Sequence, residues 1–243
     1  MTLKYSLDLE NYYSSRMGLV VLETDETIEQ EMRDIITEKV SIYHTRIPCD
    51  KTVTEQNLKK MEEQLPSSIG LLPKIPFDII GYACTSGATV IGSEKISKII
   101  KSSTNCKSVT DPIKAVKTAL TKLECNKIGF VSPYEEKVTE KMRFHLETEG
   151  FQIKNVLTFN ESDDTLVARI SEKDTLNAAC EVFTEECEAI FISCTNLKTF
   201  KIIDEIEERL SIPVISSNLA LTWHMMSLTG EINNSGPGRL FSS

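Results

Sequence analysis

Eight short apolar runs, each closed by turn residues and separated by longer segments with helical spacing, set the pattern of this chain. They are MGLVVLE (17–23), VSIYHTRI (40–47), DIIGYAC (78–84), CKSVT (106–110), KIGFVSP (127–133), FQIKNVLTF (151–159), EAIFISC (188–194) and IPVISSN (212–218). Continuous β-branched runs that alternate with helical segments predict parallel strands covered on both faces.

The pattern also repeats. Gly18 and Gly129 stand 111 positions apart, as do Val40 and Phe151, and Cys84 and Cys194 stand 110 apart. A period this long predicts duplication of a whole βα domain rather than a solenoid. The expected fold is α/β: two pseudo-symmetric, four-stranded, parallel-sheet Rossmann-like halves with a cleft between them.

Helix signals fall between the runs. TIEQEMRDIITEK and KVTEKMRFHLETEG each follow the first strand of a half, the latter stopping at Gly150. DPIKAVKTALTKL has Asp111 as N-cap and Pro112 at the first helical position. NLALTWHMMSLTG is expected to return onto the first half, which gives residues 1–108 plus 217–243 as one discontinuous domain and 109–216 as the other. The Gly/Ser/Asn-rich tail GEINNSGPGRLFSS is expected to be mobile.

Composition narrows the function. The chain of 243 residues is 40% hydrophobic and 26% charged, with a net charge of −9, which argues against a nucleic-acid or anionic-membrane surface. No run is long enough to span a membrane, and the N-terminus has no apolar signal core. Seven cysteines without a CxxC or a Cys/His cluster fit reduced thiols in the cytoplasm better than disulfides or a zinc site. No GxGxxG or GxxxxGK[ST] occurs, so no nucleotide cofactor is expected.

The candidate chemistry lies in the two most similar stretches, DIIGYACTSGA and EAIFISCTNLK. Ligands of parallel sheets bind beyond the carboxyl ends of the strands, which is where Cys84 and Cys194 fall. Each is followed by small or polar residues, Thr85-Ser86-Gly87 and Thr195-Asn196, and then by a helix whose positive end would favour a thiolate. Facing halves would aim the two thiols into the cleft from opposite sides. Such a pair suits racemisation next to a carboxylate, or thiolate addition to a C=C bond followed by rotation. Thr85, Ser86, Thr195 and Asn196 are the donor types needed to hold a developing enediolate. Neither route needs a metal or other cofactor. The other five cysteines lack this symmetry and read as structural.

Two βα halves, each with Cys-Thr after its third strand, resemble the aspartate/glutamate racemase superfamily, in the branch of the maleate cis–trans isomerases and arylmalonate decarboxylases. The stretch SCTNLKTFKIIDEIEERLSIPVISSNLALTWHMM is similar to the maleate isomerase pattern S-C-T-x-L-x-T, I-D-x-[IL]-E and P-V-x-S-S-N-x-A-x-x-W-H. The resemblance implies one cysteine as nucleophile and the other as proton donor, roles that fall on Cys84 and Cys194. The decarboxylases keep only the second cysteine, so the pair argues against a pure decarboxylase. The resemblance also places Tyr134 of SPY on a substrate carboxylate, and it implies a homo-oligomer.

Two positions depart from the pattern. Asp25 of LETDET and Asp164 of DDTLVAR stand where the isomerases carry substrate-binding Asn. Carboxylates there would repel a dianion such as maleate unless one is protonated or the substrate carries a cation. Asp25 and Thr24 also suit a helix N-terminus. His224, on an apolar segment, reads as a hydrogen-bonded core residue. The expected function is a cofactor-independent isomerase of a small carboxylate. An Asp/Glu-type amino-acid racemase and a non-catalytic two-lobed binding domain are the alternatives.

Overall fold

The computed structural model describes residues 2–7 and 12–242. The first half holds β1 (Ser15–Leu22), α1 (Ile28–Ile35), β2 (Val40–Ile47), α2 (Glu55–Ile69), β3 (Phe77–Ala83), α3 (Thr85–Ile91), α4 (Ser93–Ser103) and β4 (Cys106–Thr110). Helix α5 (Pro112–Lys122) leads to β5 (Lys127–Tyr134), α6 (Glu136–Thr148), β6 (Gln152–Glu161), α7 (Asp164–Val167), α8 (Glu172–Glu181), β7 (Ala189–Ile192), α9 (Phe200–Leu210) and β8 (Val214–Ser216). Helices α10 (Ser217–Thr229) and α11 (Arg239–Ser242) end the described chain.

Each half contributes one all-parallel sheet, in the orders β2-β1-β3-β4 and β6-β5-β7-β8. The central strands are the apolar ones, and β1, β3, β5 and β7 are buried almost throughout. The repeated glycines have a packing reason. Gly18 pairs with Ile80, and Gly129 with Ile190. A Cβ on either glycine would come within 2.9 Å or 2.8 Å of that isoleucine's side chain, so each opens room for the neighbouring strand's bulk.

Strand order fixes where a ligand can sit. In each sheet the chain reverses its direction of growth between the first and third strands of the half, which opens a crevice at their carboxyl ends. Tyr134 ends β5 there, and the segments leaving β1, β3 and β7 carry Asp25, Cys84 and Cys194.

Asp111 caps α5 by accepting from the Lys114 amide at 3.0 Å, with Pro112 at the first helical position as expected. Helix α10 is buried along most of its length and packs against β3, α1 and α5. The structure corrects two expectations. Strand β7 stops at Ile192, which leaves Cys194 in a loop rather than at the strand's last residue. The tail is not loose: α11 buries Leu240 and Phe241, Gly238 N–H bonds Asp204 at 2.7 Å, and Arg239 N–H bonds Glu207 at 2.9 Å. Two apolar residues late in a polar tail were enough to dock it. Among the described residues no helix is long and apolar enough to cross a membrane.

Candidate active site

Cys84 is the N-cap of α3. Its sulfur accepts from the Gly87 amide at 3.2 Å and meets the Ser86 hydroxyl at 3.6 Å. Burial pushes this thiol up to about 12, against the opposing pull of those two donors. Gly87 is required for the arrangement: a Cβ there would lie 2.6 Å from the Tyr82 oxygen and 2.9 Å from the Cys84 sulfur. Gly87→Ala therefore displaces the thiol from its amide, and a loss of about a hundredfold in kcat/KM is expected with little change in the far-UV spectrum.

Cys194 is held differently. The sequence placed it directly before a helix N-terminus, as Cys84 is, but the helix that follows it, α9, begins only at Phe200. Its backbone sits at φ 114°, a sparsely populated conformation for any residue but glycine. Strain of this kind persists where surrounding contacts over-determine it, often in active sites. Here the Cys194 amide donates to Ser217 Oγ at 3.0 Å, and the sulfur accepts from the Asn196 amide at 3.2 Å. Burial raises the thiol well above the ordinary value, and the Asp164 carboxylate adds to this.

The two Cys-Thr motifs interlock. Thr85 Oγ1 donates to Ser217 Oγ at 2.8 Å, so Ser217 joins the residue after Cys84 to Cys194 itself. Thr195 Oγ1 reaches back to the carbonyl of Ala83 at 3.3 Å. Ser217, at the start of α10, was not singled out in the sequence, although it is the second serine of the matched pattern P-V-x-S-S-N.

Tyr134 and Asp164 complete the wall. Tyr134 donates its phenolic proton to Asp164 Oδ1 at 2.7 Å, and its oxygen lies 3.0 Å from Cys194 Sγ. A phenol has one proton to give, so with Asp164 taking it the thiol donates to the phenol oxygen. Asp164 Oδ2 accepts from Thr24 Oγ1 at 2.5 Å and from Asn196 Nδ2 at 3.2 Å. Asn196 also bonds the carbonyls of Thr24 and Asp164 and accepts from the Glu26 amide. Its side chain thus stitches the halves together at both ends. Asp25 Oδ1 accepts from the Thr27 and Ile28 amides at 2.8 and 3.0 Å in the turn that leads into α1, but the N-cap is Thr27 rather than Thr24 or Asp25, and Asp25 Oδ2 is buried with no partner. Burial lifts this carboxyl to about 7, although the two amides oppose it.

A further buried carboxylate was not among the candidates. Glu31 of α1 accepts from the Thr199 and Phe200 amides at 2.5 and 2.9 Å and from Asn218 Nδ2 at 2.6 Å. Asn218 also donates to the Thr195 carbonyl at 2.9 Å. Glu31 thereby caps α9 from the other half and fixes the loop that carries Cys194. Its signal was present: Ile28, Glu31, Met32 and Ile35 form the buried stripe of α1, so an acid occupies a core-facing position.

Burial raises Glu31 from 4.5 to about 7. A raised carboxyl contributes most stability below its unfolded value and loses it as pH climbs through the folded one. His224, buried against Thr110 and lowered to about 4, acts in the opposite sense over part of that window. The comparison is therefore with a variant. The melting-temperature gap between wild type and Glu31→Gln should shrink as pH rises from about 5 to about 8.

Space at the site is small. The cleft bounded by Thr24, Ser86, Tyr134 and Asp164 has room for about 10 Å³, the measure of one water. Residues 51–53 cover it by bonding across to the other half: Val53 N–H to Ser162 O at 3.0 Å, and Asp164 N–H to Lys51 O at 2.8 Å. A larger cleft of about 1040 Å³ between α2, α3 and α6 reaches Ser86 and shares Val53 and Leu58 with the small one. The Lys141–Glu55 ion pair lies across it.

Among the described residues no group of three or more His, Cys, Asp or Glu is placed to hold a metal ion. Residues 88–241 match the family model described as arylmalonate decarboxylase. The chain is 26% identical over 238 residues to a maleate isomerase of Nocardia farcinica, covering 93% of this chain and 94% of that one. It is 27% identical over 131 residues to an arylmalonate decarboxylase of Bordetella bronchiseptica, covering 52% and 55%. Among solved structures, a Nocardia farcinica maleate cis–trans isomerase variant with a covalently bound succinylcysteine intermediate superposes with a TM-score of 0.85 at 23% identity, over 93% of this chain and 98% of that one.

Proposed function

The chain belongs to the arylmalonate decarboxylase family, in the maleate isomerase branch of the aspartate/glutamate racemase superfamily, and from that premise we propose that it is a cofactor-independent isomerase of a small carboxylate whose two thiols, Cys84 and Cys194, act from opposite faces of the substrate. The observation that carries this reading is the interlock through Ser217 and Ala83, which brings both Cys-Thr motifs to one buried site.

The roles follow from the neighbours. The Asp164 charge raises both thiols, but Cys194 also has a phenol oxygen to take its proton, so it is the thiol that keeps and delivers a proton. Cys84 has the Gly87 amide and the Ser86 hydroxyl to stabilise a thiolate, so it is the attacking member. In cis–trans isomerisation Cys84 first releases its proton to water, and the thiolate, held by the Gly87 amide, forms a C–S bond at one alkene carbon. The π pair moves to the adjacent carbon, beside a carboxylate, and takes the Cys194 proton. The new single bond rotates. Cys194 then recovers a proton, the C=C bond re-forms, and the C–S bond breaks to return the thiolate. The succinylcysteine of the Nocardia farcinica relative is an adduct of the kind this sequence requires.

Racemisation is the second reading, favoured by the Asp25 carboxylate in the site. Here one thiolate removes the proton from the carbon beside the carboxylate, the pair delocalises into an enediolate, and the opposite thiol returns a proton to the other face. Burial raises both thiols, so alkylation by iodoacetamide at neutral pH should be slower than for a free cysteine and should accelerate steeply as pH rises. The function itself is tested by following maleate, arylmalonates and single enantiomers of amino acids by NMR and polarimetry. Conversion with every carboxylate retained is expected, and release of carbon dioxide from an arylmalonate would overturn the isomerase reading.

A further inference from the structure

Asp25 is 2% exposed, and its Oδ2 has no hydrogen-bond partner. Such an oxygen is costly to bury, because it has lost water without gaining a donor. The turn into α1 does not need it, since Oδ1 alone receives the Thr27 and Ile28 amides. The nearby Thr195 hydroxyl does not satisfy it either, having given its proton to the Ala83 carbonyl. The residues around it bond the site directly: Thr24 Oγ1 donates to Asp164 Oδ2, the Glu26 amide to Asn196 Oδ1 and Thr27 Oγ1 to the Asn196 carbonyl, which sets the carboxyl beside the candidate site.

The surrounding charges are one-sided. Asp50 and Asp164 line the small cleft, and no Lys or Arg does. The nearest cations are already engaged. Arg46 donates to the carbonyls of Leu22 and Asp25 and pairs with Glu29, Arg169 pairs with Glu26, and Lys51 pairs with Asp163. A dianion entering here would meet two buried carboxylates without a countercharge, whereas an ammonium would give Oδ2 the donor it lacks.

Resting on the reading of this cleft as a carboxylate site, we propose that its substrate is zwitterionic: an amino acid whose ammonium group is bound by Asp25 Oδ2 while its carboxylate lies between the two Cys-Thr motifs. The ammonium also makes the neighbouring C–H more acidic, which suits a proton transfer between the thiols.

Aspartate and succinate differ by one ammonium group and make the sharpest pair of probes, with 2,4-diaminobutyrate and maleate as a second pair. Their binding to the wild-type protein and to Asp25→Asn is measured by calorimetry at about pH 8.5, above the Asp25 value, so that the carboxylate is ionised. Asn keeps an acceptor for the Thr27 and Ile28 amides, and an unchanged melting temperature confirms that the variant folds. The amino acids are expected to bind wild type at least tenfold more tightly than the dianions, and Asp25→Asn should weaken them at least tenfold while strengthening the dianions. Dianions binding as well as the amino acids, a preference unmoved by Asp25→Asn, or no millimolar binding of either amino acid would each overturn the proposal. Binding is read without turnover. Amino acids that bind as expected but never exchange a proton would sink the isomerase reading alone, and maleate turned over with no effect of Asp25 would sink this one alone.

Discussion

Cys84→Ser and Cys194→Ser are each expected to lower kcat/KM by about a thousandfold or more while the melting temperature stays within a few degrees of wild type. Serine matches the thiol in shape closely enough to keep the Gly87 and Asn196 amide contacts, so the fold has no reason to fail. Its hydroxyl is a far weaker acid, and it can serve neither as the attacking anion nor as the returning proton source on the same terms. The two losses should not add. A double variant no worse than either single one is expected, because each thiol is useless without the other. A single variant that retains a tenth or more of wild-type activity would show that its thiol is only packing.

Glu31→Ala carries the largest expected effect on stability. It strands the Thr199 and Phe200 amides and the Asn218 amide group in the interior, and a cost of about 3 kcal/mol is expected. For a chain of this length that is a fall of roughly 6–12 °C in melting temperature. Activity should fall as well, since Asn218 holds the Thr195 carbonyl next to Cys194. Glu31→Gln keeps one acceptor for the α9 amides and should lose about half as much or less. A Glu31→Ala protein that melts like wild type would mean that the two halves are held by their apolar contacts alone.

What could be read in the sequence, and what could not, follows the range of the interactions. The central strands were legible because a buried parallel strand is apolar on both faces, whereas β2, β4 and β6, partly exposed in the structure, were legible from their β-branched and aromatic residues between turns. The duplication was legible because Gly18 and Gly129 do the same job against Ile80 and Ile190. Cys84 and Cys194 were found as members of that repeat, and Asp25 and Asp164 only as departures from a family pattern. Ser217, Thr24 and Glu31 were not found as site residues. Each acts on a residue more than 20 positions away, and nothing local distinguishes a serine that bridges two motifs from one that starts a helix. The setting of Cys194 was misjudged for the same reason. Its symmetry with Cys84 suggested a helix N-terminus, but the second half spends its α9 N-terminus on Glu31 instead.

The central claim is that one buried site holds two thiols that act from opposite faces of a small carboxylate. The measurement that tests it most directly is proton exchange by NMR in D₂O, with wild type, both single serine variants and the double variant, across dicarboxylates and amino acids. The account predicts deuterium entering the carbon beside a carboxylate, or cis–trans conversion, in wild type and in none of the variants. Exchange or conversion that continues at the wild-type rate with either cysteine replaced would contradict it. So would silence from wild type toward ligands that the double variant still binds unchanged, which would make this protein a two-lobed binding domain.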